Sequence, residues 1–182
     1  MNPIDRRGLL ASMAVLTASG PALAQSGGAS ASPAPSAGAR PVTPLAELRK
    51  EADVACLYHC DFGDPGRFGQ MLTNISNHYS AYNNDPFAAQ LAIVAHGPGI
   101  KFFLTSLETT QWREEITVPQ IYSRVEALFA FGLRVYLCNI TFERMKLDRA
   151  LARARKEIVL VPSGVATVGD LQAKGFGYIK IG

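Results

Sequence analysis

From residue 54 onwards the chain alternates between two hydrophobic patterns. Short continuous runs of apolar and aromatic residues indicate strands. They span Val54–Cys60, Leu91–Ala95, Leu133–Cys138, Ile158–Val161 and Tyr178–Ile181. A run such as Leu91–Ala95, which has no polar position, is typical of a strand covered on both faces, as in a parallel sheet.

Between these runs, apolar residues recur with helical spacing. The spacing predicts helices from Pro65 to Tyr79, from Pro119 to Gly132, from Phe142 to Arg155 and from Val165 to Gly175. Asp64 is placed to cap the first of these helices, with Pro65 at its first position. Gly132 and Gly175 are typical of helix ends. The segment Ser106–Thr117 matches neither pattern.

Strands and helices therefore alternate along the whole domain. Short connections in this order imply an α/β fold: one domain with a sheet of about five parallel strands and helices on both faces, a flavodoxin-like three-layer sandwich. The 182 residues, 48% of them hydrophobic, suffice for one such core. Three cysteines exclude a disulfide-rich mini-protein, and a net charge of +3 gives no reason to expect a nucleic-acid partner.

The first 24 residues match a bacterial export signal. Arg6 and Arg7 precede an apolar run that begins at Leu9, and residues 22–24 (Ala-Leu-Ala) offer small side chains to a signal peptidase. The apolar run is short and interrupted, so we expect no stable membrane insertion after cleavage. The paired arginines resemble a twin-arginine signal, and the alternative is an ordinary export signal. Both predict a periplasmic protein.

The residues after the signal have a different composition. Residues 25–44 are almost entirely Ser, Gly, Ala and Pro, which cannot bury enough surface to offset the chain entropy of folding. We therefore predict a signal peptide over 1–24, a flexible linker over 25–44 and a single folded domain over 45–182.

The chemistry-bearing residues concentrate at one predicted edge of the sheet. In an open parallel sheet, ligands bind at the carboxyl ends of the strands. Two of the three cysteines and two of the three histidines fall at these ends, in the order His59, Cys60, His96 and Cys138. The residues expected to line a pocket with their backbone are Gly97, Asn139, Ser163 and Gly164.

Cys138 is the candidate nucleophile. It is predicted between a strand end and a helix, where backbone N–H groups and the helix dipole favour the thiolate, the reactive form of cysteine. The alternative interpretation is that Cys138 is a small buried core residue.

Residues 53–182 resemble the DsrE/DsrF-like family, also called the YchN-like fold. The segments that carry the resemblance are Asn74–Asn77, Ile93–Gly97, Gly132–Asn139, Val161–Val165, Leu171–Gln172 and Gly175–Ile179. The resemblance implies a homotrimer or homohexamer and a sulfur-relay role, in which a cysteine after the third strand carries sulfane sulfur as a persulfide. Only Cys138 matches that cysteine. The implied partners are sulfur donors and acceptors, either proteins or small sulfur compounds.

Cys60 and His96 are candidate supporting residues. If the first and third strands are neighbours, as in flavodoxin-like orders, Cys60 could resolve a Cys138 persulfide or form a disulfide with it. His96 could take a thiol proton or bind an oxyanion. Cys56 is expected in the core, and His59 is expected to pack as a structural histidine.

Two other classes of function remain open. One is a metal-binding module for zinc or copper, with ligands drawn from His59, Cys60, His96 and Cys138, although no Cys-x-x-Cys spacing supports it. The other is a non-catalytic oligomeric protein that binds a small ligand, with exposed subunit contacts at Phe102, Phe103 and the segment around Trp112. Phosphate-loop, dinucleotide-binding and serine-nucleophile motifs are missing, so we expect no cofactor.

Overall fold

A computed structural model describes residues 40–115 and 118–182. The predicted signal peptide and residues 25–39 of the predicted linker lie outside the described residues. Within the two described ranges, no helix combines the length and the apolar character needed to span a membrane.

The strands form one sheet in which every pair of neighbours is parallel. They are β1 Val54–Cys60, β2 Ala89–Ala95, β3 Arg134–Cys138, β4 Ile158–Val161 and β5 Gly177–Lys180. Their order across the sheet is β4-β3-β2-β1-β5. The predicted α/β fold with one five-stranded parallel sheet is therefore confirmed.

The helices are α1 Pro65–Ala81, α2 Val118–Phe129, α3 Asn139–Arg144 and α4 Gly164–Ala173. The chain steps from β1 to β4 in one direction, and right-handed crossovers then place α1 and α2 on one face. The return to β5 places α4 on the opposite face, where it contacts β1, β2 and β3. The core accordingly forms two clusters, a larger one that includes Phe68 and Ile75 of α1 and a smaller one that includes Leu171 of α4.

The predicted helix boundaries at α1, α2 and α4 have clear local causes. The Asp64 carboxylate accepts a hydrogen bond from the backbone N–H of Arg67 at 2.6 Å, and Pro65 is the first helical residue. Gly132 and Gly175 have φ angles of 89° and 90°, a left-handed conformation that lets the chain turn after α2 and α4.

The predicted helix over residues 142–155 is wrong. α3 stops far short of this range, and Lys146 has a φ angle of 53°, in the left-handed region. Asp148 then caps a separate 3-10 turn, Arg149–Leu151, by accepting a hydrogen bond from a backbone N–H two residues on at 2.9 Å. The aspartate side chain thus offers the backbone a local alternative to continued helix.

Phe102 and Phe103 are not exposed subunit contacts, which corrects the expectation from sequence. Both lie in a 3-10 helix, Gly97–Phe103, and are almost completely buried in the core of this chain. The ring of Phe102 stacks on that of Phe68, with centroids 3.9 Å apart. The sequence after Gly97 therefore turns inward and continues the core.

Residues 106–115, which belong to the segment that matched neither pattern, fold against this 3-10 helix. They consist of turns up to Glu115, and Leu107 and Trp112 are buried, so Trp112 is not an exposed subunit contact either. Glu115 forms an ion pair with the buried ammonium group of Lys101. This pair fixes the segment to the 3-10 helix.

Residues 40–43, which fall within the predicted linker, lie along the outer edge of β4. Val42 forms a parallel bridge with Leu160, and the Arg40 guanidinium donates to the Ile158 carbonyl at 2.5 Å. These contacts cover backbone groups that an edge strand otherwise leaves unpaired.

Candidate functional site

A cavity of about 420 Å³ opens at the carboxyl ends of β2, β3 and β4. Its lining residues are His96, Gly97, Cys138, Ile140, Thr141, Arg144, Met145, Ser163 and Val165. The position agrees with the rule that open parallel sheets bind ligands at these ends. Three strands that are distant in sequence therefore contribute to one concave surface.

Adjacent strands place His96 beside Cys138. Ala95 of β2 pairs with Leu137 of β3, so the next residues on the two strands are neighbours. A Cβ atom on Gly164 would lie 2.8 Å from the His96 Cβ and 3.1 Å from the Cys138 Cβ. The first residue of α4 therefore packs directly against both side chains.

The four residues predicted to line a pocket have different positions. Gly97 and Ser163 line the cavity. Gly164 lies behind its wall, against the two site side chains. Asn139 is mostly buried, and its amide donates to a Glu143 carboxylate oxygen at 2.7 Å along α3, so this side chain supports the helix.

Cys138 is a free cysteine with 5% of its surface exposed, and it forms part of the cavity wall. It occupies the N-cap position of α3. That helix has only six residues, far fewer than the helix predicted from the sequence. A reagent can approach the sulfur through the cavity.

His96 is also the end of a hydrogen-bonded chain. Its Nε2 lies 2.7 Å from the Nε2 of His59, and the Nδ1 of His59 lies 2.8 Å from the Tyr178 hydroxyl. This series of hydrogen bonds runs from the cavity across the ends of β2 and β1 to the edge strand β5. Tyr178 is 40% exposed, so the far end of the chain reaches the surface.

His59 and Tyr178 are the site residues that sequence reasoning missed. The sequence predicts a structural role for His59, yet this residue follows Leu57 on the face of the sheet that carries α4. His96 follows Val94 on the same face of the neighbouring strand. The alternation of side chains was visible in the sequence, but the adjacency of β1, β2 and β5 was not.

Burial is the main influence on both imidazoles. It lowers the pKa of His59 and the pKa of His96, while the Asp61 carboxylate opposes the shift in each case. Both rings are therefore neutral at neutral pH. A hydrogen bond between two neutral imidazoles requires that one Nε2 carries a proton and the other presents its lone pair.

Cys60 does not join this site. β2 lies between β1 and β3, so the condition for contact between Cys60 and Cys138 is not met. Two strand spacings amount to about 10 Å, which exceeds the reach of a disulfide. Cys60 is fully buried, and burial strongly raises the pKa of its thiol.

The metal-binding alternative gains no support from the geometry. Within residues 40–115 and 118–182, no group of three or more His, Cys, Asp and Glu side chains is arranged to hold a metal ion. The two imidazoles that meet do so through a direct hydrogen bond between their Nε2 atoms.

Comparisons with known proteins assign the chain to a family and find a similar fold in a solved structure. Residues 59–181 match the DsrE/DsrF-like family. A solved structure of a protein of unknown function from Methanobacterium thermoautotrophicum aligns with a TM-score of 0.55 and 20% identity, over 70% of this chain and 99% of that one. At this identity the likeness concerns the fold alone. The search of curated proteins finds no match.

We predict that Gly164→Ala destabilises the protein by about 1–3 kcal/mol, because the new methyl group would overlap the Cβ atoms of His96 and Cys138. Gly169→Ala is the matched control, since Gly169 lies on the same helix with open space around it. The control should raise the free energy of unfolding by about 0.5–1 kcal/mol. Urea denaturation measures both, and equal effects would contradict the tight contact.

The lowered pKa values predict a loss of stability at mildly acidic pH. Unfolded histidine takes up its proton near pH 6.5, whereas folded His59 and His96 do so at lower pH. Protonation therefore favours the unfolded chain, and the stabilisation present above pH 6.5 is lost as the pH falls.

We expect the urea midpoint to decrease between about pH 7 and about pH 5, where histidine linkage acts. A variant with both His59→Gln and His96→Gln should show a smaller decrease. His78, whose pKa is also lowered by burial, contributes equally to both proteins. The same pH dependence in the variant would argue against the assignment.

Proposed function

Because the chain belongs to the DsrE/DsrF-like family, we propose that Cys138 accepts sulfane sulfur as a persulfide and passes it to an acceptor. Membership of this family suggests a sulfur-relay role. The observation that carries the finer proposal is the placement of the cysteines, all three of which lie in the described part of the chain. Of these, only Cys138 lines the cavity.

The contrast between the cysteines supports this assignment. The thiolate is the nucleophilic form of cysteine. Burial raises the pKa of Cys60 strongly and that of Cys56 as well, which disfavours their thiolates. Cys138 combines a small exposed surface with an approach through the cavity, which the fully buried Cys60 lacks.

The charge of the lining favours an anionic sulfur compound. Arg144 lines the cavity, and among the described residues no acidic side chain does. Within the described residues, Arg144 forms no ion pair, so its charge is available to a ligand. A polysulfide, a thiosulfate ion or the persulfide of a donor protein would each present negative charge to this side chain.

The proposed transfer is a displacement at sulfur. The Cys138 thiolate attacks the outer, sulfane sulfur of a donor R–S–SH, and a new S–S bond forms as the S–S bond of the donor breaks. The electron pair of the broken bond leaves with R–S⁻, which takes up a proton. The sulfane sulfur moves from one thiol to another, so the step requires no external oxidant or reductant.

We expect Cys138→Ser to abolish sulfur uptake, because the variant lacks the only thiol at the cavity. The measurement is the intact mass of the protein after exposure to polysulfide. The wild-type chain should gain the mass of one or more sulfur atoms, and reductant should remove it. Cys56→Ser is the control, since Cys56 lies away from the cavity, and it should load as the wild type does.

Two results would contradict the proposal. Equal loading of Cys138→Ser would place the sulfur elsewhere. A free Cys138 that forms no reducible adduct would favour the second candidate function, a protein that binds a small anion in the cavity without covalent chemistry. The cavity and Arg144 would serve that function equally well.

The proposal extends to the location and assembly of the protein. We propose that the chain is exported to the periplasm and assembles as a homotrimer or homohexamer. Support for export comes from Arg6, Arg7 and the apolar run from Leu9 to the Ala-Leu-Ala of residues 22–24.

A double substitution, Arg6→Lys with Arg7→Lys, should retain the uncleaved chain in the cytoplasm of an expressing bacterium, because the twin-arginine route reads both arginines. The wild-type chain should appear in the periplasmic fraction with Gln25 as its first residue. Normal export and cleavage of the double variant would indicate the ordinary export route. Arg113→Lys, an exposed change far from the signal in the sequence, is the control.

A further inference from the structure

We propose that Tyr178, His59 and His96 form a proton wire that connects the Cys138 cavity with solvent. The inference rests on the proposed function, because sulfur transfer to Cys138 supplies the proton that the wire carries. It adds to that function a route for the proton and two residues, His59 and Tyr178, that act through His96.

The hydrogen bonds are continuous from His96 to Tyr178. His96 lines the cavity beside Cys138. The two contacts of the chain, 2.7 Å between the Nε2 atoms and 2.8 Å between the His59 Nδ1 and the Tyr178 oxygen, are both normal hydrogen-bond lengths. Tyr178 lies on the edge strand β5, where its ring is partly exposed.

The donors and acceptors fit a relay. When His96 donates its Nε2 proton to His59, and His59 donates its Nδ1 proton to Tyr178, the Nδ1 of His96 keeps a free lone pair. When a proton arrives at the Nδ1 of His96, the Nε2 proton of His96 can pass to His59. The Nδ1 proton of His59 can then pass to Tyr178. Both imidazoles then exchange tautomers, and the hydroxyl proton of Tyr178 passes to water.

The charges around the pair favour this neutral route over a stored imidazolium. Burial lowers the pKa of both rings. The charged groups that face them are Asp61, which favours an imidazolium, and Lys180, which disfavours one at His59. These two side chains lie 3.5 Å from each other, so Lys180 offsets part of the effect of Asp61 at His59, and burial outweighs Asp61 at both rings. A proton that moves through the pair leaves no buried charge behind.

The full step balances. The Cys138 thiol gives its proton to His96 and its sulfur attacks the sulfane sulfur of the donor. The wire releases one proton to water at Tyr178. The departing R–S⁻ takes one proton from water, so no net charge accumulates.

The test is the rate of sulfur uptake by Cys138 from polysulfide as a function of pH, in water and in deuterium oxide. Tyr178→Phe and His59→Gln interrupt the wire without changing Cys138. General-base assistance accelerates a reaction by about 100-fold or more. Partial loss of this assistance should therefore slow sulfur uptake by about tenfold or more near neutral pH. The uptake rate of both variants should recover at alkaline pH, where solvent removes the thiol proton. Their solvent isotope effect should be smaller than that of the wild type.

A second tyrosine–histidine pair provides a matched control. The Tyr58 hydroxyl lies 2.9 Å from the His78 Nδ1, on the face of the sheet that carries α1, and this pair does not reach the cavity. Tyr58→Phe and His78→Gln should therefore load at the wild-type rate with the wild-type pH profile. If either pair has only a structural role, its substitution should lower the stability of the protein, and the rate of sulfur uptake should not recover at alkaline pH.

Failure of the wire and failure of the sulfur function are distinguishable. If the wild type loads sulfur and Tyr178→Phe matches it at every pH, the wire is overturned and the carrier function stands. If Cys138 loads no sulfur, the carrier function fails, and NMR of the imidazole nitrogens decides about the wire. A proton shared between the two Nε2 atoms would support the wire, and two uncoupled Nε2 atoms would overturn it.

Discussion

The site depends on one close contact, between the first residue of α4 and the ends of β2 and β3. A Cβ atom at position 164 would overlap both His96 and Cys138, so only glycine lets the helix begin there. The contact brings the Ser163 turn to the cavity and closes one side of it. It also fixes the two side chains that the proposed chemistry uses, since neither can move toward α4.

The sheet gives its three cysteines three different environments. Cys60 ends β1 on the face that carries α1 and is fully buried. Cys138 ends β3 next to α4 and reaches a cavity. Cys56 lies in the middle of β1, half-buried beside Gly177. Reactivity in this protein therefore follows from strand position and face, because both determine whether a thiolate can meet solvent or a donor.

The elements whose signals are local were predictable from sequence. The strands, the Asp64 cap and the glycine ends of α2 and α4 each depend on residues within a few positions. The error over residues 142–155 arose because an amphipathic spacing does not register that Asp148 can cap a new turn. Phe102 and Phe103 were misplaced because their burial depends on Phe68, which is distant in sequence.

The sequence by itself determined that His96, Cys138 and Ser163 stand at the carboxyl ends of successive strands of a parallel sheet, because hydrophobic runs and their order are local properties. Only the tertiary structure decided which strands are neighbours. The order β4-β3-β2-β1-β5 separates Cys60 from Cys138 and brings His59 and Tyr178 into line with His96. The physical reason is that the pairing of parallel strands is set by long crossovers and by packing on both faces, and no single segment of sequence contains that information.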